Sequence, residues 1–332
     1  MTETGKTRVA LNGFGRIGRS ILRLLMARSD FEIVLINEIE PLETCAYLFQ
    51  YDSIYGPWPG TVEAGDGVLV VDGQEIGFHH ADDLTVLDLS DVDVVLECTG
   101  MAGARPVAER GLAAGASNVL VSGPSNTADK TIVLGANEAD LGQHRIVSNA
   151  SCTTNALAPL LNVLDAAFGI ESGHMTTVHC YTGSQPTVDK PRGNLARSRA
   201  AALSMVPTTT SAQKLLGQVL PALDGRIEAR AVRVPTASVS AIDLIVQTRT
   251  KVTVDVVNAR LKRAAQDMSV LGWTEQPLVS SDLRGRPESL IISGRETSVS
   301  RGGLLRVFGW YDNEWGFSNR MLDMARLMDA RE

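Results

Sequence analysis

Two residues of this chain have the chemistry and the setting for nucleophilic catalysis. Cys152 lies in Ser148-Asn149-Ala150-Ser151-Cys152-Thr153-Thr154-Asn155, where a β-branched run passes into a helical pattern. The small polar residues suit a helix cap. A thiol in the first turn of a helix feels the positive end of the dipole, so a lowered pKa and a larger thiolate fraction are expected. Taken alone, a helix-start cysteine is more often a small buried residue. His179 sits in the apolar-flanked run Thr176-Thr177-Val178-His179-Cys180-Tyr181, where strand alternation sends His179 and Cys180 to opposite faces. A lone strand histidine is more often a hydrogen-bonded core residue. A nucleophilic cysteine, however, needs a base or a cationic partner, and His179 would complete that pair. The sequence does not show that the two meet. His79, His80, His144 and His174 read as surface or turn residues. The four cysteines, at 45, 98, 152 and 180, form no C-x-x-C pair, so no metal site is expected.

A second constellation is Gly13-Phe14-Gly15-Arg16-Ile17-Gly18, a G-x-G-x-x-G that follows the strand-like Val9-Ala10-Leu11 and opens a helical pattern. Gly13 permits the tight turn, Gly15 lets the backbone approach a pyrophosphate, and Gly18 allows close helix–strand packing. The helix N-terminus offers unpaired N–H groups and partial positive charge to phosphates. Glu38 follows the second strand at the spacing expected of a ligand to a ribose 2′-hydroxyl. A carboxylate there repels a 2′-phosphate, so the expected cofactor is NAD rather than NADP.

These groups must be positioned by two kinds of structure. The first half alternates β-branched runs with helical patterns. Strands are predicted at Arg8–Leu11, Ile33–Ile36, Val92–Leu96, Val119–Val121, Thr131–Leu134 and Arg145–Val147, and helices at about 16–28 and 105–115. Such alternation indicates a parallel sheet of βαβ units. The Gly-, Pro- and Asp-rich insert 52–86 predicts turns and short antiparallel strands. After residue 150 the character changes. A helix is predicted over 151–168 with one apolar face, then longer strands at 173–181, 227–234, 238–250, 290–292 and 304–311, and a terminal helix at 317–328. The expected fold class is therefore α/β. Residues 1–150 with 316–332 form a Rossmann dinucleotide-binding domain, and residues 151–315 an α+β catalytic domain with a mixed or antiparallel sheet. The stretch 182–205 carries Lys190, Arg192, Arg197 and Arg199 with little apolar periodicity, which marks a long functional loop.

Composition limits the alternatives. The 332 residues carry a formal charge of −7, with 44% hydrophobic and 21% charged residues, as in an ordinary globular protein. The acidic balance argues against nucleic acid as the main partner. No apolar run approaches the ~20 residues of a membrane span. The polar N-terminus lacks a signal-peptide core, and scattered cysteines suit a reduced, cytoplasmic setting.

Several longer stretches carry a family resemblance. NGFGRIGR, YDS at 51–53, ECTG at 97–100, SNASCTTN, TTVHCYTG, RSRAAALSMVPTTT, VRVPT at 232–236 and YDNEWGFSNR at 311–320 together resemble the phosphorylating glyceraldehyde-3-phosphate dehydrogenases over residues 8–320. The resemblance implies that the Cys152 thiolate, ion-paired with His179, attacks an aldehyde. His179 then accepts the hydroxyl proton as hydride leaves for nicotinamide, and the Cys152 N–H and the His179 ring stabilise the oxyanion. Inorganic phosphate attacks the thioester after NADH has been replaced by NAD. It further implies that Thr182 and Arg233 hold the phosphate of a phosphorylated aldehyde. Ser151, Thr153, Arg197, Thr210 and Ser211 hold the attacking phosphate. Gly13, Gly15, Gly18, the amides of Arg16 and Ile17, and Glu38, Thr99, Ser122 and Asn313 contact NAD. It implies a homotetramer, with loop 182–205 at a subunit interface.

The chain departs from the family pattern at several points. Glu38 stands where Asp is common, Ser184 where many bacterial members have Asp, Ser211 for a usual Gly, and Phe317 for a usual Tyr. His79-His80 lie where a Lys or Arg often touches the adenosine end of the cofactor. Glu38 and Phe317, with 169–173 and 241–244, look more like the sister branch that oxidises erythrose 4-phosphate with water as acceptor. The Asn37-Glu38 pair also resembles arsenic-associated members that use arsenate. A nucleotide sensor or nucleic-acid binder on the same fold has no need of Cys152, His179, Arg197 and Arg233 together.

Overall fold

A computed structural model describes residues 5–331; residues 1–4, which open the polar N-terminal stretch, and residue 332 lie outside it. The chain divides into two compact units. One comprises the described residues through Ile132, Ala139–Ala150 and the described residues from Ser318 onward; the other comprises Val133–Glu138 and Ser151–Phe317.

The first unit is built on nine strands: β1 (Thr7–Asn12), β2 (Phe31–Asn37), β3 (Val62–Ala64), β4 (Val68–Val71), β5 (Gln74–His79), β6 (Val94–Glu97), β7 (Asn118–Val121), β8 (Lys130–Thr131) and β9 (Ile146–Ser148). Their spatial order is β3-β4-β5-β2-β1-β6-β7-β9-β8. All pairs from β5 to β8 are parallel, while β3, β4 and β5 pair antiparallel, as the insert predicted. In chain order, strands β5-β2-β1-β6-β7-β9 follow the 3-2-1-4-5-6 order of dinucleotide-binding sheets, which reverses between β1 and β6. Residues of β6 and β7 are buried on both faces, as helix-covered parallel strands require. Helices α1 (Arg16–Leu25), α2 (Leu42–Gln50) and α3 (Arg105–Ala113) belong to this unit. The sequence reading missed α2, although Leu42, Cys45, Ala46 and Phe49 are its buried face at helical spacing. The expected strand 131–134 pairs only at Lys130–Thr131. The Val133 amide instead donates to Asn137 Oδ1 at 2.8 Å, so this apolar run is a buried turn.

The second unit has strands β10 (Ile170–Cys180), β11 (Val206–Thr209), β12 (Ile227–Val234), β13 (Ser240–Thr248), β14 (Leu271–Thr274), β15 (Leu290–Ser293), β16 (Ser298–Val299) and β17 (Leu304–Tyr311). They form a mixed sheet, β11-β12-β10-β13-β17-β15-β14, with β16 beside β17. Only β10–β12 and β14–β15 pair in parallel. Helix α4 (Cys152–Phe168) starts at Ser151, whose hydroxyl accepts the Thr154 amide, and ends at Gly169, where φ is +65°. It is buried almost all round rather than along one face, as a helix inside a core must be. Two more helices, α5 (Ala212–Val219) and α6 (Val254–Asp267), were not predicted, although Val257, Leu261 and Ala264 mark the buried side of α6. A last helix, α7 (Trp315–Asp329), begins with residues of the second unit, and its residues from Ser318 on group with the first.

Gly13 and Gly18 have firm backbone reasons. Gly13 has φ +94°, and a Cβ there would stand 2.7 Å from Cys98 C and Thr99 N; a Cβ at Gly18 would stand 2.2 Å from Gly13 O. Backbone atoms cannot give way as a flexible side chain can. Gly18→Ala is expected to destabilise the first unit by about 1–3 kcal/mol, the usual cost of overpacking. A denaturation midpoint equal to wild type would show that the α1–β1 contact is looser than this geometry.

Candidate active site

The first unit carries a cavity of about 440 Å³ at the carboxyl ends of β1, β2 and β6, beside the point where strand order reverses. Ligands of open α/β sheets bind at such switch points. Gly13, Gly15, Glu38 and Thr99 line it together, with apolar Ile39, Leu84, Met101 and Val107. Gly15 is informative because the protein itself gives no reason for glycine. Its φ of −69° and ψ of −158° are open to other residues, and a Cβ would meet nothing within 4 Å. The space that a side chain would fill lies open at the N-terminus of α1. Gly15 makes no side-chain cap to that helix, and a helix N-terminus favours an anion.

Glu38 accepts the Phe14 amide at 2.7 Å and the Glu40 amide at 3.2 Å, which holds its carboxylate against the glycine loop. Arg16, Ile17 and Gly18 occupy the first turn of α1, off the cavity wall, and the Arg16 guanidinium pairs with Asp52. Ser122 follows β7, also off the wall, and hydrogen-bonds to the Cys98 side chain. Asn12 and Asn37, to which the sequence assigned no role in the site, line the cavity, and buried Glu97 stands behind them. Asn12 Nδ2 donates to Glu97 Oε2 at 2.5 Å, and Asn37 Nδ2 donates to Asn12 Oδ1 at 2.9 Å. Asn12 is the register partner of both Asn37 and Glu97, so the network ties the ends of three strands. A polar residue closing each of three buried strands was the available signal.

In the second unit Cys152 opens α4 and His179 stands near the end of β10. Cys152 Sγ lies 3.6 Å from His179 Nε2, so the fold brings the two together. His179 Nδ1 lies 2.7 Å from the Cys180 carbonyl oxygen and 2.8 Å from an Arg233 guanidinium nitrogen, which also donates to that carbonyl at 3.1 Å. His179 and Arg233 are direct register partners in the parallel β10–β12 pair. The expectation of a lowered thiol pKa is corrected here. Burial pushes the Cys152 thiol up, and outweighs the pull of Arg233 and local hydrogen bonds in the other direction. Burial, then Arg233, pushes His179 down to about 4. Both shifts favour the neutral form of each group, the opposite direction from the ion pair that the resemblance implies. Nδ1 faces both a carbonyl oxygen and a guanidinium donor; in the tautomer that donates Nδ1–H to Cys180, Nε2 presents its lone pair to the thiol.

Tyr311, at the end of β17, holds this arrangement. Its buried hydroxyl lies 2.9 Å from Thr153 Oγ1 and 2.7 Å from Thr177 Oγ1, joining the first turn of α4 to β10. The Thr153 hydroxyl is thus committed inward, and the Ser151 hydroxyl caps α4. Asn313 Oδ1 accepts from the Cys180 thiol at 3.0 Å, with the Ser240 hydroxyl at 3.5 Å. Burial pushes the Cys180 thiol up to about 12, so it stays a donor.

Arg197 and Arg233, assigned to separate phosphates by the resemblance, line one cavity of about 250 Å³ with Ser184, Gln185, Arg192, Gly193 and Asn194. Thr182 Oγ1 lies 2.9 Å from Ser184 Oγ, and Arg197 donates to Thr208 Oγ1 at 2.6 Å. Thr210 and Ser211 stand at the start of α5, off this wall. Among the described residues no acid–His–Cys cluster could hold a metal ion, and no helix is long and apolar enough to cross a membrane.

Comparison with known proteins finds a match for each unit. Residues 7–105 match the NAD binding domain of glyceraldehyde 3-phosphate dehydrogenase, and residues 151–313 match its C-terminal domain. The chain is 47% identical over 329 residues to glyceraldehyde-3-phosphate dehydrogenase of Xanthobacter flavus, covering 97% of this chain and 98% of that one. It is 46% identical over 326 residues to the enzyme so named in Cereibacter sphaeroides, covering 97% and 98%. Glyceraldehyde-3-phosphate dehydrogenase 2 of Bacillus subtilis is 44% identical over 332 residues, covering 98% of each chain.

The Arg233 contact makes a signed prediction. Removing a cation from beside His179 favours the protonated ring, so Arg233→Gln should move the His179 titration upward from its depressed position. Imidazole NMR signals followed against pH measure it. An unchanged or lower midpoint would mean that burial alone sets the ring's protonation.

Proposed function

Because the chain belongs to the glyceraldehyde-3-phosphate dehydrogenase family, we propose that it oxidises glyceraldehyde 3-phosphate with NAD and passes the acyl group to inorganic phosphate, giving 1,3-bisphosphoglycerate. The observation that carries this reading is the 3.6 Å approach of Cys152 Sγ to His179 Nε2 beside Arg233. NAD fits the first unit: Gly15 leaves open the space a Cβ would fill, Gly13 and Gly18 shape the turn, and Glu38 stands at the rim for a ribose hydroxyl. When bound, NAD supplies the hydride acceptor. Arg16 and Ile17 offer backbone amides to its pyrophosphate. Thr99 and Ser122 are further contacts in this unit; in the second unit Asn313, the residue for the nicotinamide, has its amide oriented by the Cys180 thiol.

Neutral His179 is suited to proton acceptance. Its Nε2 takes the Cys152 thiol proton as Sγ bonds to the aldehyde carbon, forming a thiohemiacetal. The Cys152 amide, in the first turn of α4, faces the developing oxyanion. The ring returns that proton to the oxyanion, which becomes the hydroxyl of the thiohemiacetal, and takes it back as the carbon is oxidised to a thioester. Phosphate oxygen attacks that thioester and Cys152 leaves as thiolate. Arg233 and Thr182 hold the substrate's phosphate. Arg197 and the α4 and α5 starts, with Ser151, Thr153, Thr210 and Ser211, receive the attacking one. Guanidinium forks and amides are the donors such dianions need.

The relatives bear the glyceraldehyde name, and Phe317 is a buried core side chain. Glu38 and Phe317 are therefore variations within this reaction rather than marks of the erythrose 4-phosphate or arsenate branches. The protein works as a homotetramer. Loop 182–205 exposes Val188, Leu195, Leu203 and Met205, with Leu195 89% exposed, an apolar display that suits a subunit contact. Four unpaired cysteines suit the reducing cytoplasm.

Cys152→Ser should abolish NADH formation from glyceraldehyde 3-phosphate while leaving NAD binding within about twofold of wild type. Full activity in this variant would remove Cys152 from the nucleophile's role. Phosphate-independent turnover fastest on erythrose 4-phosphate would overturn the substrate assignment. Sedimentation should give about four times the 35.5 kDa chain mass; a stable, active monomer contradicts the tetramer.

A further inference from the structure

The loop cavity of the second unit carries an unbalanced charge. Arg192, Arg197 and Arg233 line it, and no acidic residue does. Asp189, in the same loop, pairs with Arg199 at 2.9 Å. None of the three lining guanidinium groups has a carboxylate partner among the described residues. A second observation points to the same space. The Gln185 side chain lines the cavity with both amide atoms buried and without a hydrogen-bond partner. Buried amides in folded proteins are satisfied, and an orphan of this kind asks for a ligand.

Charge arithmetic makes the third arginine useful. A phosphate group carries about −1.5 to −2 at pH 7, so the two that the reaction brings together total about −3 to −4. Arg197 and Arg233 offset only two of these charges. The first anion to enter meets an excess of positive charge. The second enters against the first, and it is the second that a further cation helps most. Arg192 is placed for that one, because it shares a turn with Arg197. The Arg192 amide donates to Ser198 Oγ at 3.0 Å, Ser198 Oγ donates to the Asn194 carbonyl at 2.9 Å, and the Arg197 amide donates to Asn194 Oδ1 at 3.1 Å. Arg233 stands on β12 instead.

We infer that Arg192, assisted by Gln185, is a specificity-determining residue for the inorganic phosphate that attacks the thioester. This inference rests on the reaction proposed above. No covalent step is added: Arg192 binds and orients the acceptor, favouring phosphate over water as the group that takes the acyl chain.

The test separates acylation from phosphorolysis. Rapid mixing of the NAD-loaded protein with glyceraldehyde 3-phosphate and no phosphate gives a burst of NADH that reports acylation alone. Steady-state rates against inorganic phosphate report the later step. In Arg192→Gln the burst rate should stay within about twofold, while the KM for inorganic phosphate rises roughly 10- to 150-fold, the range for losing one hydrogen bond to a charged group. Arg192→Lys should recover much of that loss, because it keeps the charge. A normal burst with an unchanged phosphate KM in Arg192→Gln overturns the inference alone. A burst rate that falls in step with phosphate binding also overturns it, since Arg192 would then serve the substrate's own phosphate. No burst in the wild-type protein overturns the reaction itself, and this inference with it.

Discussion

Cys152 Sγ and His179 Nε2 approach to 3.6 Å because the first turn of α4 is held against the end of β10, and the Tyr311 hydroxyl is what joins them. One residue after the nucleophile, Thr153 bonds to that hydroxyl; two residues before the base, Thr177 does the same. Tyr311 comes from a third element, β17, so the spacing of the reacting pair is tied to the sheet rather than to a loop. The bridge is buried, and a buried polar group left without its partner costs about 1–3 kcal/mol. That penalty makes any shift of α4 along the sheet unfavourable. The rest of the reacting centre can be exact only because this distance is.

The electrostatics of the pair follow from the same burial. A helix N-terminus contributes up to about 1–2 kcal/mol toward a negative charge. Removing a thiolate from water opposes it, and here burial wins for Cys152. Arg233 acts on both partners in one direction: it favours the sulfur anion and disfavours the imidazolium. Both effects favour the neutral ring, which is the form a proton acceptor must take. The arginine that the substrate's phosphate is assigned to is thus also a neighbour of the base, through the register of β10 and β12.

In the first unit the deciding constraint is backbone proximity. Gly13 and Gly18 permit a turn so tight that a Cβ at either position would collide with main-chain atoms. Gly15 leaves a space that the protein itself does not fill. The rim is fixed separately, by Asn12, Asn37 and Glu97 at the ends of adjacent strands. Shape and rim come from different parts of the sequence and meet only at the point where strand order reverses.

The glycine turn, the acid after the second strand, the capped start of α4 and most strands were legible in the sequence. They depend on residues within a turn or on periodicity along one segment. Helices α2, α5 and α6 were passed over because short amphipathic patterns compete with neighbouring loop signals, and the run after Thr131 looked like a strand because burial alone does not separate strand from turn. Tertiary structure alone decided that His179 lies beside Arg233, that Tyr311 bridges Thr153 to Thr177, and that burial pushes the Cys152 thiol up. Register places residues distant in sequence side by side, and solvation sums over every group that packs around a charge. Local sequence therefore names the nucleophile, and only the folded chain sets its protonation state.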